Sequence, residues 1–210
     1  EEFGLEVVED AAEGLGSSFA GKHVGRFGRF GALSFNGNKI ITCGGGGAII
    51  TDSDELADRL KHVTTTARVA SSIDYYHDEV AWNFRLPNIN AALGVAQLEK
   101  LSEVLRLKAF LAKEYRQFFS KDPIGIEVMA TPYDTICNHW LNAIVLPSEA
   151  AMLRDEILLG LNSIGIEARP LWRPLNQLPM YRNNPSFAGS VCAGMAQRVI
   201  NLPSGVGAAR

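Results

Sequence analysis

Four consecutive glycines, Gly44 to Gly47, run straight into Ala48-Ile49-Ile50, and this junction constrains the fold more than any other stretch of the chain. A glycine run loses too much backbone freedom in a helix interior, so the chain here reads as a turn followed by a strand. That order excludes two phosphate-binding motifs. In a P-loop the lysine follows the glycines and precedes Ser or Thr, whereas Lys39 comes before them. A dinucleotide fingerprint needs glycines that open a helix, and these open a strand.

Lys39 lies between the turn-forming triplet Asn36-Gly37-Asn38 and the glycine run, with Gly31-Ala32-Leu33-Ser34-Phe35 before it and Ile40-Ile41 after. This setting places its amine near a poorly solvated wall, and a desolvated lysine amine is an activated nucleophile. Such amines form Schiff bases with carbonyl compounds, pyridoxal phosphate among them. A surface lysine at a hairpin tip is the competing reading. Leu5-Glu6-Val7-Val8-Glu9-Asp10 reads as a short buried strand ending in an acid. Ligands of open α/β sheets lie at the carboxyl ends of strands, and an Asp there can hold a pyridinium nitrogen protonated. Ser34, five residues before the lysine, offers a hydroxyl suited to a phosphate.

At 210 residues, with 47% apolar and 20% charged residues, the chain can bury a sizeable core. A net charge of −3 without a basic block argues against nucleic acid as a partner. Cys43, Cys137 and Cys192 are odd in number and far apart, which suits reduced thiols in a cytoplasm better than a disulfide framework. The histidines show no metal-ligand spacing, so no metal is expected, and no apolar run reaches the length of a membrane span.

Short strands punctuated by glycines fill 17–35, and Gly47 to Thr51 is another strand. Asp52-Ser53-Asp54-Glu55 resembles a capping box opening a helix on which Leu56, Leu60 and Val63 share a face. The alternation places the first 70 residues in an α/β sheet domain. Residues 68–85 form a long loop rich in polar and aromatic groups, a length more often functional than filler. Pro87 suits the first turn of one long helix whose apolar stripe continues to Phe118. A domain boundary is expected near Lys121, giving 1–120 and 121–210. In the second part a strand is expected over 140–146, a helix capped by Ser148, a strand over 165–170 and a closing helix over 193–200.

The runs Val8-Glu9-Asp10-Ala11-Ala12-Glu13, Ser34-Phe35-Asn36-Gly37-Asn38-Lys39, Gly44 to Ile50 and Tyr76 to Arg85 carry a resemblance. In order and spacing the chain resembles the DegT/DnrJ/StrS family of pyridoxal phosphate sugar aminotransferases from Val7 to about Pro203. It is most similar to the branch acting on nucleotide-linked 4-keto-6-deoxy sugars, as in the bacillosamine and legionaminic acid pathways. The resemblance implies an α/β chain: part of the large domain of the fold type I aminotransferases, followed by a small α+β carboxyl-terminal domain. It implies pyridoxal phosphate as cofactor, linked to Lys39, with Asp10 on its ring nitrogen and Ser34 on its phosphate. Glu13 stands where relatives often have Gln or His beside the ring. Asn83 matches an asparagine that reaches across a homodimer interface to the other subunit's cofactor phosphate. Relatives usually show Gly-Tyr where this chain has Ala81-Trp82.

Arg169 and Trp172, in Arg169-Pro170-Leu171-Trp172, match a stretch near the sugar nucleotide, with Asn176 where a histidine is common. Glutamate is the usual amino donor, and the setting is cytoplasmic synthesis of bacterial surface glycans such as lipopolysaccharide. The dehydrating branch has histidine in place of the lysine, so Lys39 favours transamination. Relatives carry a long preceding segment that completes the cofactor pocket, and this chain is expected to be the carboxyl-terminal part of such an enzyme. The alternative is a non-catalytic homologue that keeps the fold as a binding or dimerisation module.

Overall fold

The computed structural model describes residues 3–70, 73–187 and 189–209. In chain order the elements of the first half are β1 (Val8–Asp10), β2 (Ser18–Phe19), β3 (Lys22–His23), β4 (Phe30–Ser34), β5 (Gly47–Ile50), α1 (Asp54–Thr64) and α2 (Asn88–Glu99). There follow α3 (Leu101–Phe119), β6 (Glu127–Val128), β7 (Thr135–Ile136), β8 (Asn142–Val145), α4 (Arg154–Ser163), β9 (Arg169–Pro170), α5 (Ser190–Arg198) and β10 (Val199–Leu202). The chain divides into two compact units, one of residues 1–105 with 132–138, the other of 106–131 with 139–210, so the division falls inside α3.

The first unit is built on a three-stranded sheet in the order β1-β4-β5, with β1 parallel and β5 antiparallel to β4. A small antiparallel sheet, β3-β2-β7, lies in the same unit, where Ser18 and Phe19 pair with Ile136 and Thr135. The glycine run is explained by backbone rather than by openness alone. Gly44 and Gly46 take left-handed φ of 80° and 87°, and a Cβ on Gly46 would stand 2.8 Å from Leu86. α1 starts as expected, with the Ser53 hydroxyl accepting a hydrogen bond from the Leu56 amide at 3.2 Å.

Glu9 fixes the loop that covers one face of this sheet. Its two carboxylate oxygens accept hydrogen bonds from the amides of Gly25 and Gly28, both at 2.6 Å. Partial burial opposes the charge, but the amides of Gly28, Gly25 and Phe27, with Lys22 nearby, outweigh it and hold the carboxyl below the ordinary glutamate range. A carboxyl lowered in the folded state stabilises fully at neutral pH and loses that contribution as pH falls through its folded value. Glu9→Gln is therefore expected to cost about 1.5 kcal/mol at pH 7, the low end for hydrogen bonds to a charged group because the site is partly solvated. Urea midpoints measured across pH should show the variant and the parent converging as pH falls through the folded-state value of Glu9.

The second unit holds the antiparallel sheet β6-β8-β10-β9. Its core is Ile144, Leu146, Leu158, Ala168, Ile200 and Leu202, with Tyr115, Phe119 and Val128 packed against it. Here several sequence expectations give way. The single long helix after Pro87 is two helices, α2 and α3, separated at Lys100, whose amide bonds back to the Gln97 and Leu98 carbonyls in a tightened turn. Pro87 itself is the N-cap, with extended backbone (ψ 146°), so it precedes the first turn. Ser148 opens a 3-10 turn, Ser148–Leu153, that leads into α4 without a side-chain cap. The strand expected over 165–170 is only Arg169–Pro170. The expected closing helix ends at Arg198, and Val199–Leu202 becomes the strand between β8 and β9, all four residues buried. An apolar run covered on both faces belongs inside a sheet.

Candidate active site

Parallel pairing brings the first candidates to one sheet edge. Asp10, the last residue of β1, is in register with Ala32 of β4, and Ser34, the last residue of β4, lies two residues farther along. Registered partners and residues two apart share a face, so Asp10 and Ser34 stand on the same side of the sheet at its carboxyl-terminal edge. Glu9, one residue earlier, belongs to the opposite face with the loop it binds. The Asp10 carboxylate accepts a hydrogen bond from the Ala12 amide at 3.1 Å, and the Ser34 hydroxyl accepts one from the Asn36 amide at 3.3 Å. Both side chains thus hold the turns that follow their own strands.

Those turns carry the next pair. Lys39 and Glu13 meet as an ion pair, the amine donating to the Glu13 carboxylate. The Lys39 side chain is 12% exposed and that of Glu13 46%, so the amine is largely covered while its partner opens to solvent. Ile40 and Ile41, which follow the lysine, are buried. The amine itself ends against a carboxylate, which sequence spacing did not reveal. The pair fixes the lysine side chain against the turn that carries Glu13.

Two asparagines absent from the sequence reading position these loops. The side-chain amide of Asn138, buried at 4% exposure, donates to the carbonyls of Glu13 at 2.6 Å and Leu15 at 2.9 Å. The side-chain amide of Asn90, on α2, donates to the Cys43 carbonyl at 2.5 Å, and Cys43 is buried directly against Gly94, where a Cβ would lie 2.7 Å from its sulfur. α2 is thereby seated on the segment between Lys39 and the glycines. Neither residue could be found from periodicity, because a side chain bonded to remote backbone leaves no local pattern.

Asn83 lies in the loop after α1, bridged to Thr65, and its side-chain oxygen accepts a hydrogen bond from Arg85 at 3.2 Å. Arg169 and Trp172 belong to the second unit. Arg169 pairs with Glu167 at 2.6 Å on an exposed surface, a contact of small worth that a ligand's anion could replace. Trp172 stacks on Trp140 with ring centroids 5.9 Å apart and planes 17° apart. Among the described residues, His62, Asp78 and Glu79 present ligand-type atoms within 4.8 Å of one another. Arg59 already grips Glu79 there, which makes the group a salt-bridge network.

Comparison with known proteins gives this arrangement its context. The model of the DegT/DnrJ/EryC1/StrS aminotransferase family matches residues 1–209. GDP-perosamine synthase of Vibrio cholerae is 37% identical over 205 residues, which cover 97% of this chain and 55% of that protein. EpsN of Bacillus subtilis, assigned as a pyridoxal phosphate-dependent aminotransferase, is 37% identical over 209 residues, 97% of this chain and 52% of that one. DesV of S. venezuelae, solved with a ketimine intermediate, superposes with a TM-score of 0.84 at 30% identity over 98% of this chain and 54% of DesV. PseC of Helicobacter pylori, an aminotransferase of pseudaminic acid biosynthesis, shares the fold with a TM-score of 0.90 at 24% identity, covering 98% and 56%. The chain spans about half the length of the relatives it matches. Its fold is that of the pyridoxal phosphate-dependent sugar aminotransferases of fold type I. From the strand-edge acid through the lysine turn to the last helix, the chain belongs to the DegT/DnrJ/EryC1/StrS aminotransferase family.

Proposed function

We propose that the full-length protein is a pyridoxal phosphate-dependent aminotransferase that aminates a nucleotide-linked 4-keto-6-deoxy sugar, with glutamate as donor. The observation that carries this reading is the Lys39–Glu13 pair beside a sheet edge on which Asp10 and Ser34 share a face. The donor set fits the cofactor chemically: an amine for its aldehyde, an acid for its ring nitrogen, a hydroxyl for its phosphate. When bound, pyridoxal phosphate supplies an aldehyde that condenses with amines and a ring that draws electrons from the carbon beside the nitrogen.

The chain's own groups do the rest. Glu13 holds the Lys39 side chain by its charge. With the cofactor bound, the Lys39 amine would serve as general base and acid, holding and moving a proton at Nζ. Asp10 keeps a charged ring nitrogen in place, and Ser34 Oγ hydrogen-bonds a phosphate oxygen. Overall, the amino group of glutamate and the carbonyl oxygen of the sugar change places.

Other features support the finer parts of the reading. Ile89, Val95 and Leu98 of α2 are exposed, as is the stacked Trp82–Phe84 pair that flanks Asn83, an apolar surface suited to a second copy of the chain. In such a homodimer Asn83 reaches the neighbouring cofactor phosphate. Arg169 and the Trp172 platform hold the sugar nucleotide by charge and stacking. The V. cholerae relative's name supports a nucleotide-linked sugar.

The test is to incubate the full-length protein with pyridoxal phosphate, isotopically labelled glutamate and a panel of nucleotide-linked 4-keto-6-deoxy sugars. Label appearing in an amino sugar by mass spectrometry is the expected result. Consumption of glutamate nitrogen with no labelled sugar from any member of the panel would refute the substrate class.

A further inference from the structure

The loop after α1 is tied down more heavily than a connecting segment needs. Two bridges, Thr65↔Asn83 and Arg68↔His77, make a short antiparallel ladder between 65–69 and 76–84. The bridges span three residue steps on one side and six on the other, so part of 78–82 is looped out opposite Thr66 and Ala67. Thr66 and Ala67 meet this mismatch with left-handed backbone, φ 73° and 47°. A β-branched residue in that region is strained, and it persists only where its surroundings over-determine it. Here the Thr66 amide donates to the Trp82 carbonyl at 2.8 Å, the Trp82 amide to Val63 at 2.9 Å and the Phe84 amide to Thr64 at 2.8 Å.

The looped-out stretch carries Asp78 and Glu79, and both return to α1. Arg59 grips the two oxygens of Glu79 with two guanidinium nitrogens, one contact at 2.7 Å, and His62 Nε2 lies 2.7 Å from the Asp78 carboxylate. Arg59 and His62 are three residues apart on α1 and so share a face, which makes their two contacts one clasp. It closes immediately before Trp82, Asn83 and Phe84.

We propose that Arg59 and His62, acting through Glu79 and Asp78, are positioning residues that present Asn83 to the cofactor phosphate. This rests on the reading of Asn83 given above. The clasp sets the height of the bulge, and the bulge sets where the ladder re-forms at Asn83. Bidentate guanidinium–carboxylate contact supplies direction as well as attraction. Consistent with a standing contact, the hydrogen bond from His62 holds the Asp78 carboxyl below its ordinary range, and the one from Arg59 does the same for Glu79.

The experiment is a pyridoxal phosphate titration of the full-length protein, followed by the visible absorbance of the bound cofactor. Glu79→Gln and Arg59→Met are each expected to weaken cofactor binding about two- to fivefold, as for an exposed ion-pair network, while kcat at saturating cofactor stays at the parent level. The double variant Arg59→Glu with Glu79→Arg re-forms the pair and should restore affinity. Asn83→Ala, titrated alongside, separates the two claims. If Asn83→Ala weakens binding and the clasp variants do not, the proposal is wrong and the reading of Asn83 stands. If Asn83→Ala has no effect, that reading fails and the proposal falls with it. Single variants that weaken binding without recovery in the charge-swapped double variant also overturn it, since the loss then does not come from the pair.

Discussion

Lys39→Ala is expected to lower aminotransferase turnover of the full-length protein by at least about a thousandfold while leaving its fold intact. The magnitude follows from removing a group that both bonds the cofactor and relays the proton, where general acid–base catalysis alone contributes about 10² to 10⁴. The fold should survive because the segment after the lysine is held by other groups. Ile40 and Ile41 remain buried, the Cys43 amide still donates to Phe35, and Asn90 still holds the Cys43 carbonyl. Steady-state assay at saturating cofactor, with circular dichroism as the control, checks both halves. Turnover within tenfold of the parent would mean that another group moves the proton.

The second large effect lies away from the site. Lys108 of α3 is 6% exposed, and its ammonium donates to the carbonyls of Ser204 at 2.6 Å, His139 at 3.2 Å and Trp140 at 3.3 Å. One buried cation thereby ties the helix to the segment before β8 and to the chain that follows β10. Nearby, the Tyr115 hydroxyl donates to the Pro203 carbonyl at 2.9 Å, and its proton is held more tightly because of burial. The His139 imidazole is pushed down, by burial first and then by the positive charges of Arg116 and Lys108. Lys108→Met keeps the stem and removes the buried ammonium that donates to the carbonyls of Ser204, His139 and Trp140. A loss of about 3 kcal/mol is expected, in the upper part of the range for a charged hydrogen-bonding group. Urea denaturation of the full-length protein measures it, and a change below about 0.5 kcal/mol would show that water replaces the ammonium at little cost.

The parts of the fold legible in the sequence were those set by local chemistry. Glycines followed by Ala48-Ile49-Ile50 gave β5 and the Ser53 hydroxyl marked the start of α1, whereas the buried strand expected over Leu5 to Asp10 is only Val8–Asp10, with Leu5, Val7 and Val8 exposed. What escaped was non-local. β2 and β7 are two-residue strands that pair across more than a hundred residues, too short for any alternation to show. β10 follows α5 without a turn residue, so an apolar run that is a central strand read as the end of a helix. The break at Lys100 involves neither Gly nor Pro and left the apolar stripe uninterrupted.

The site shows the same division. From chain order alone Asp10 could be placed at a strand end, and Lys39 between a turn and the glycine run with Ser34 five residues before it. The meeting of Lys39 with Glu13, and the support of Glu13 by Asn138, depend on loops folding over one another and have no periodic signature.

The central claim is that the amine at position 39 bonds to the cofactor aldehyde. Borohydride reduction of the full-length protein loaded with pyridoxal phosphate, followed by peptide mapping, tests it most directly. A stable pyridoxyl group on the peptide containing Lys39, absent in Lys39→Ala, is the predicted result; reduction that labels other lysines and leaves this peptide unmodified would contradict it.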